Sequence, residues 1–303
     1  MYGLALEGGG TLGAAHVGVL RALTENGLIP SSVGGASAGA IVAAAYAWRG
    51  QLSDVEDLFT QASQLGVKLL DLNIGGIIQL VTHWLWHRDI HYRGVFKGAR
   101  LQRLINDTVE GAMLAEARLP LAITAVDINS SELVIFSSRA PVDRGLEHWV
   151  RDASIAEAVR ASTSIPILFV PKEHENKLLI DGGLLQNLPV SSVRKLGEER
   201  VLGVSFHVEG QNSKQASTII GVARGTLNSI QTQLERIQRN EATYLLEVIL
   251  PEGSGTFTFD RMHEFVDIGY ETTIKALPDI KRAFAQSIPS MSRRVNVRSF
   301  SAV

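Results

Sequence analysis

Three short stretches of the chain hold the groups best suited to nucleophilic chemistry. Residues 8–13, "GGGTLG", place four glycines in a six-residue window. Gly35-Ala36-Ser37-Ala38-Gly39 fits G-x-S-x-G, in which the serine tops a tight strand-to-helix turn and small neighbours let the backbone fold on itself. Asp181-Gly182-Gly183 follows the apolar run "LLI". That run places Asp181 at the carboxyl end of a strand, where open α/β sheets keep their sites. A serine nucleophile needs a base to take its proton and donors to hold the oxyanion it creates. Asp181 is a candidate base, although Asp-Gly also caps ordinary turns. The usual base is histidine, and of eight histidines only His207 and His263 lie late enough for the order found in α/β-hydrolases. Neither has a motif around it.

The glycine window admits two readings. Gly8-Gly9-Gly10-Thr11-Leu12-Gly13 satisfies G-x-G-x-x-G, and the flanking pattern is strand before and helix after. A dinucleotide site also needs an acid about twenty residues on, at the end of the second strand. That place holds Gly35-Ala36-Ser37, with no acid. The window is better read as an oxyanion hole whose N–H groups, with the dipole of the following helix, face the charge made when Ser37 attacks a carbonyl.

The elements that must position these residues alternate in α/β order. Leu4–Leu6 reads as a buried strand, Gly13–Asn26 as a helix closed by Gly27, "SSVGGAS" as a second strand, and Ala38–Trp48 as a helix. Ser53–Leu65 reads as a helix opened by a Ser-Asp-Val-Glu capping box. "LPLAITAVDINSSELVIFSS" alternates as a hairpin turning at Asn129-Ser130-Ser131. Further on, Val150–Ser162 reads as helix, Leu178–Ile180 and Arg200–Phe206 as strands, and Ile219–Arg239 as a long helix. Tyr244–Leu250 reads as a strand and Phe265–Phe284 as a closing helix. Within the long helix, Gln231–Arg239, "QTQLERIQR", reads as a solvated face. The pattern implies an α/β fold with a mostly parallel sheet, and one domain over 1–303.

Composition narrows the function classes. The 303 residues are 45% hydrophobic, enough for a sizeable core, with a net charge of −2 and no basic stripe of the kind nucleic acid requires. There is no cysteine, which removes disulfides, thiolate metal sites and a cysteine nucleophile together. No signal peptide and no apolar run of transmembrane length is evident, so a cytoplasmic protein is expected.

Taken together, the chain resembles the patatin-like phospholipases of the bacterial or neuropathy-target-esterase type. The resemblance rests on "GGGTLG", "GASAG" and "DGG" in that order, with the flanks "GAAHVGVLRALTENGL", "ASTSIPILFVP" and "DGGLLQNLPV". It spans residues 3 to about 207, and "VDIGYETTIKAL" is similar to the family's closing helix. It implies a three-layer α/β/α fold around a central, mostly parallel sheet. It also implies a lipid acyl hydrolase with a Ser37–Asp181 dyad, no catalytic histidine and no cofactor. The oxyanion hole would be built from Gly8, Gly9, Gly10, Thr11, Leu12 and Gly13. Gly35 and Gly39 would support the elbow, and Gly182 and Gly183 the turn after the base. The family usually carries Arg or Lys before the last glycine of the loop, where this sequence has Leu12. A histidine is often seen at the position of His16, read here as helix packing or support of the site.

Residues 69–92, "LLDLNIGGIIQLVTHWLWHRDIHY", carry Trp84 and Trp86 and read as a lid, a peripheral membrane contact or a core helix. His83, His87 and His91 share a helical face there, but no acidic or cysteine partner accompanies them and no metal is expected. The basic tail Arg293, Arg294 and Arg298 reads as a surface terminus. Two other classes fit the same motifs: a His-dependent α/β-hydrolase, and a non-catalytic regulatory or membrane-docking protein of the same fold. A lipid or acyl ester is the expected ligand, and the oligomeric state is not legible.

Overall fold

The computed structural model describes residues 1–76, 94–210 and 219–285. In chain order its strands are β1 (Gly3–Leu6), β2 (Ser32–Gly35), β3 (Leu121–Asp127), β4 (Glu132–Ser137), β5 (His148–Val150), β6 (Lys172–His174), β7 (Lys177–Asp181), β8 (Val201–Val208) and β9 (Tyr244–Leu250). The helices are α1 (Ala14–Glu25), α2 (Ala38–Arg49), α3 (Leu52–Leu65), α4 (Ala99–Thr108), α5 (Ile155–Ser162), α6 (Gly183–Gln186), α7 (Val190–Arg194), α8 (Ile219–Glu241) and α9 (Met262–Ala285).

The strands form one sheet in the order β5-β4-β3-β2-β1-β8-β9. Pairing is parallel from β3 through β2, β1 and β8 to β9. The expected hairpin is present: β4 runs antiparallel to β3. β1 is buried along its whole length, as a strand covered on both faces must be. Its alternation sorts the layers. Leu4 and Leu6 join the large core with α1, α2, α5 and α9, while Ala5 joins a smaller cluster with Val190 and Val193 of α7. Helices therefore cover both faces, giving the α/β/α sandwich that the family resemblance implied.

One feature of the topology brings the site together. β4 occupies one edge of β3 from Ala122 to Asp127. Two short strands share the other edge and approach from opposite directions. β2 is parallel to β3, with Gly35 opposite Ile123. β7 is antiparallel, with Asp181 opposite Ala125. Their carboxyl ends therefore meet head-on, two residues (about 7 Å of strand) apart along β3. Asp181 ends β7, and Ser37 follows β2 by two residues.

Three local expectations are corrected. The capping box at Ser53 does not form: α3 starts at Leu52, Gln51 is its N-cap, and the Ser53 hydroxyl turns to the Gln51 side chain. The helix expected over Val150–Ser162 is shorter. Trp149 and Val150 pair with β4, and the Ser154 hydroxyl accepts from Glu157 N–H to start α5 at Ile155. The closing helix starts earlier than expected, at Met262.

Candidate active site

Ser37 is buried and holds φ +49°, ψ −118°, a conformation costly for any residue with a side chain. The surroundings over-determine it. A Cβ on Gly35 would stand 2.2 Å from the Gly39 carbonyl, and one on Gly39 would stand 2.2 Å from the Leu6 carbonyl. The elbow thus exists because both flanking positions lack side chains and α2 presses directly on β1. The Ser37 N–H donates to the Ser162 hydroxyl at 2.9 Å, tying the elbow to the end of α5.

The Ser37 hydroxyl faces the Asp181 carboxylate closely enough to favour its charged form. Gly183 N–H also donates to Asp181 Oδ1, at 2.8 Å, and Asp181 N–H donates to the Ser164 carbonyl. Burial pushes the Asp181 carboxyl up to about 6, against the lowering effect of the two donors. The two histidines that the sequence offered as bases stand elsewhere. His207 is exposed at the end of β8, and His263 packs edge-on against Phe59. His16 is buried in α1, where Nε2–H donates to the Glu7 carbonyl at 2.8 Å and burial drives its pKa down to about 4. It is a neutral prop at the entry to the glycine loop.

The loop itself is a single 3₁₀ turn, Gly10–Gly13, leading into α1. Most of its amides are occupied. Gly8 N–H donates to Asn187 Oδ1 at 3.2 Å and to the Asn187 carbonyl at 3.3 Å. Thr11 N–H donates to the Thr256 carbonyl, and Leu12 N–H to the Gly9 carbonyl. The Thr11 hydroxyl donates to the Gly255 carbonyl and accepts from Thr258 N–H, which pins the turn to residues 255–258. Gly10 has φ +62°, and a Cβ there would stand 2.4 Å from the Thr256 carbonyl. Among the described residues, the Gly9 and Gly10 N–H groups have no acceptor, and neither does Ala38 N–H at the start of α2. Gly10 and Ala38 line the same cavity as Ser37, and Gly9 precedes them at the loop's start, so these amides are open to an incoming oxygen.

A family model of the patatin-like phospholipases matches residues 4–194, which contain all three motifs. The chain belongs to the patatin-like phospholipases. An uncharacterized NTE family protein of Mycobacterium tuberculosis is 27% identical over 205 residues, 67% of this chain and 48% of that protein. Lysophospholipase NTE1 of Pyricularia oryzae is 26% identical over 305 residues, 92% of this chain and 18% of that protein. This patatin-like chain therefore spans half or less of the length of these relatives. Among solved structures, VipD from Legionella pneumophila has the same fold, with a TM-score of 0.53 and 17% identity over 92% of this chain and 67% of that one.

Two cavities flank the glycine loop of this patatin-like chain. One, of about 150 Å³, opens beside Ser37 and is almost wholly apolar. Ile41 and Val42 of α2, Val55, Leu58 and Phe59 of α3, and Leu104 of α4 line it. The sequence did not single out these residues, because their apolar periodicity is that of any core helix. The other cavity, of about 530 Å³, is polar and bounded by Gly8, Gly9, Leu12, Glu235, Arg236 and Arg239. Leu12, which stands where the family usually has a cation, thus shares a wall with two arginines of α8.

Beneath the loop, Glu7 is buried and accepts from Phe206 N–H at 2.7 Å, with Arg239 at 3.5 Å. Burial, reinforced by the charge of Glu235, pushes its carboxyl up to about 8. The reading of Gln231–Arg239 as a solvated face is corrected here. Thr232, Gln233, Arg236 and Ile237 are exposed, but Gln231, Gln238 and Arg239 turn inward onto backbone groups near the site, and Glu235 onto the Asn187 side chain.

Residues 69–76 of the stretch singled out in the sequence are described: Leu69 and Leu70 line the apolar cavity, while Leu72 and Ile74 are exposed. Trp84, Trp86, His83, His87 and His91 lie outside the described residues, as does the tail with Arg293, Arg294 and Arg298. Among the described residues no helix is long and apolar enough to cross a membrane.

Proposed function

We propose that this patatin-like domain is a serine acyl hydrolase acting on lipid esters through Ser37 and Asp181. The juxtaposition of Ser37 and the buried Asp181 carboxylate, at the meeting ends of β2 and β7, is the observation that carries the reading. In the first half-reaction Asp181 takes the Ser37 proton as Ser37 Oγ attacks the ester carbonyl carbon. The oxyanion settles against Gly9, Gly10 and Ala38 N–H, with the positive end of the α2 dipole behind it. Collapse expels the alcohol, which receives its proton from Asp181. In the second, water gives a proton to Asp181 and attacks the acyl-serine carbon, releasing the fatty acid and restoring the Ser37 hydroxyl. A base near 6 suits this work: it is ionised at neutral pH yet binds a proton more readily than an exposed aspartate.

The apolar cavity beside Ser37 supports an acyl chain as the group bound on the acid side. Burying each methylene there is worth about 0.8 kcal/mol, so chain length should govern affinity. The polar cavity across the loop, with Arg236 and Arg239, supports a polar alcohol portion on the other side. The segment over 69–92 remains our candidate for contact with a lipid surface, on the strength of the exposed Leu72 and Ile74 at its described end. The test is fatty-acid release from a series of acyl esters and phospholipid vesicles. Wild type should release acid at a rate that rises with acyl length, and Ser37→Ala should release none. Equal release by Ser37→Ala would rule the reading out.

A further inference from the structure

The segment after Asp181 turns through Gly183–Leu188 without joining the sheet, so its backbone groups need partners from elsewhere. α8 supplies three of them from Gln231 and Gln238, at i and i+7 on one face of the helix. Gln231 Nε2 donates to the Gly183 carbonyl at 2.8 Å. Gln238 accepts from Leu188 N–H at 2.9 Å and donates to the Leu185 carbonyl at 2.9 Å. Between them, Glu235 Oε1 accepts from Asn187 Nδ2 at 2.7 Å.

Asn187 is the pivot of this arrangement. Its Oδ1 accepts from Gly8 N–H in the glycine loop. A Cβ on Gly8 would stand 2.6 Å from that oxygen and 3.0 Å from Ser37 Cβ. A Cβ on Gly183 would stand 2.7 Å from the same oxygen and 3.0 Å from Asp181 Oδ1. The amide oxygen of Asn187 is thus wedged between the loop that faces Ser37 and the turn that follows Asp181. An amide group can face either way, with its oxygen or its NH2 toward Gly8. Asn187 Nδ2 also lies 3.5 Å from Glu7 Oε1, but Glu235 is the nearer partner at 2.7 Å. A carboxylate only accepts, so Glu235 compels Asn187 to present its NH2 to α8 and its oxygen to Gly8. With Gly8 so held, the next two amides of the loop stay free.

We propose that Glu235 is a positioning residue, which by fixing the orientation of Asn187 sets the glycine loop against the Ser37–Asp181 pair. This rests on the serine-hydrolase reading above. Glu235 touches neither reacting atom, and it sits on a helix outside the three motifs.

The test compares Glu235→Ala, Glu235→Gln and Glu235→Lys in the full chain, with a short-chain p-nitrophenyl ester and a fluorophosphonate as probes. Gln can still accept from Asn187 through Oε1, whereas Lys only donates and drives the amide to flip. The expected result is a kcat about tenfold lower or more in Glu235→Ala and Glu235→Lys, with KM within twofold and every molecule still labelled at completion. Glu235→Gln should recover to within about threefold of wild type. Hydrogen exchange of residues 7–13 should quicken in the Ala and Lys variants and not in Gln. The proposal is overturned if all three variants keep the wild-type kcat. It is also overturned if kcat falls only in proportion to the labelled fraction, which marks a merely structural role. A wild type that neither labels nor turns over would overturn the hydrolase reading and this role with it. Loop exchange that still followed Glu235 would identify that case.

Discussion

Ser37 and Asp181 face one another because the strands that lead to them meet head-on along one edge of β3. Neither residue is placed by a long loop. Gly35 pairs with Ile123 and Asp181 with Ala125, so the sheet itself sets their separation. A site built on strand ends is held more rigidly than one built on loops.

The raised Asp181 carboxyl has a kinetic consequence. As the proposed base, Asp181 would have to be ionised to take the serine proton, so kcat/KM is expected to rise as pH increases through about 6 and to level off above it. A rate profile from pH 4.5 to 8 on a neutral ester checks this. A profile flat down to pH 4.5 would contradict it.

The same shift has a stability consequence with a definite sign. The folded state holds the Asp181 proton up to about 6, whereas the unfolded chain releases it near 3.8. The folded state therefore binds more protons in that window, and its stability falls as pH rises from about 4 to about 6. The loss from this one group is on the order of 3 kcal/mol. Asp181→Asn removes it, so the variant should be the more stable protein at pH 7.5, by more than at pH 5. Urea unfolding of both proteins at the two pH values measures the difference, and a gap that did not change with pH would count against the burial of a charge here.

Close approach at the elbow predicts an intolerance. Gly39→Ala forces a methyl to within 2.2 Å of the Leu6 carbonyl, which neither α2 nor β1 can relieve without moving. Destabilisation by about 3 kcal/mol or more is expected, read as a fall in the urea midpoint.

The loop has a separable effect. In Gly10→Ala, positive φ and the Thr256 carbonyl at 2.4 Å oblige the turn to shift, while the sheet is untouched. Acylation by a fluorophosphonate is expected to slow about a hundredfold, the usual cost of one lost oxyanion donor, with a melting temperature within a few degrees of wild type.

The apolar cavity predicts a chain-length effect. Val42→Phe fills space beside Ser37 within the cavity of about 150 Å³. Turnover of a palmitoyl ester should fall by at least tenfold, while a butyryl ester is nearly unaffected, since only the longer chain needs the filled volume. Equal losses on both would mean the chain lies elsewhere.

Much of this candidate site was legible because its parts are local. The glycine window, the elbow and Asp181-Gly182-Gly183 are each contiguous, and each requires small residues for a reason visible in the sequence. The α/β order of strands and helices followed from apolar runs such as Leu4–Leu6 and from glycines at helix ends. What escaped is what only pairing in space creates. Nothing local in "KLLID" says that β7 runs antiparallel against β3, or that its end meets β2. Ser53 and Glu56 had the spacing of a capping box, but Glu56 instead binds Arg21, and the helix begins one residue ahead of Ser53. α8 misled for the opposite reason. Gln231, Glu235 and Gln238 look like solvent-facing residues, yet they turn inward because the groups beneath them, backbone amides and the Asn187 side chain, need hydrogen bonds rather than apolar cover.

The most direct measurement is the rate of fluorophosphonate labelling of wild type, Ser37→Ala and Asp181→Asn at pH 7.5. The account predicts complete labelling of wild type, none of Ser37→Ala, and labelling slowed at least a hundredfold in a folded Asp181→Asn. Labelling of Asp181→Asn at the wild-type rate would contradict it and return the role of base to a histidine.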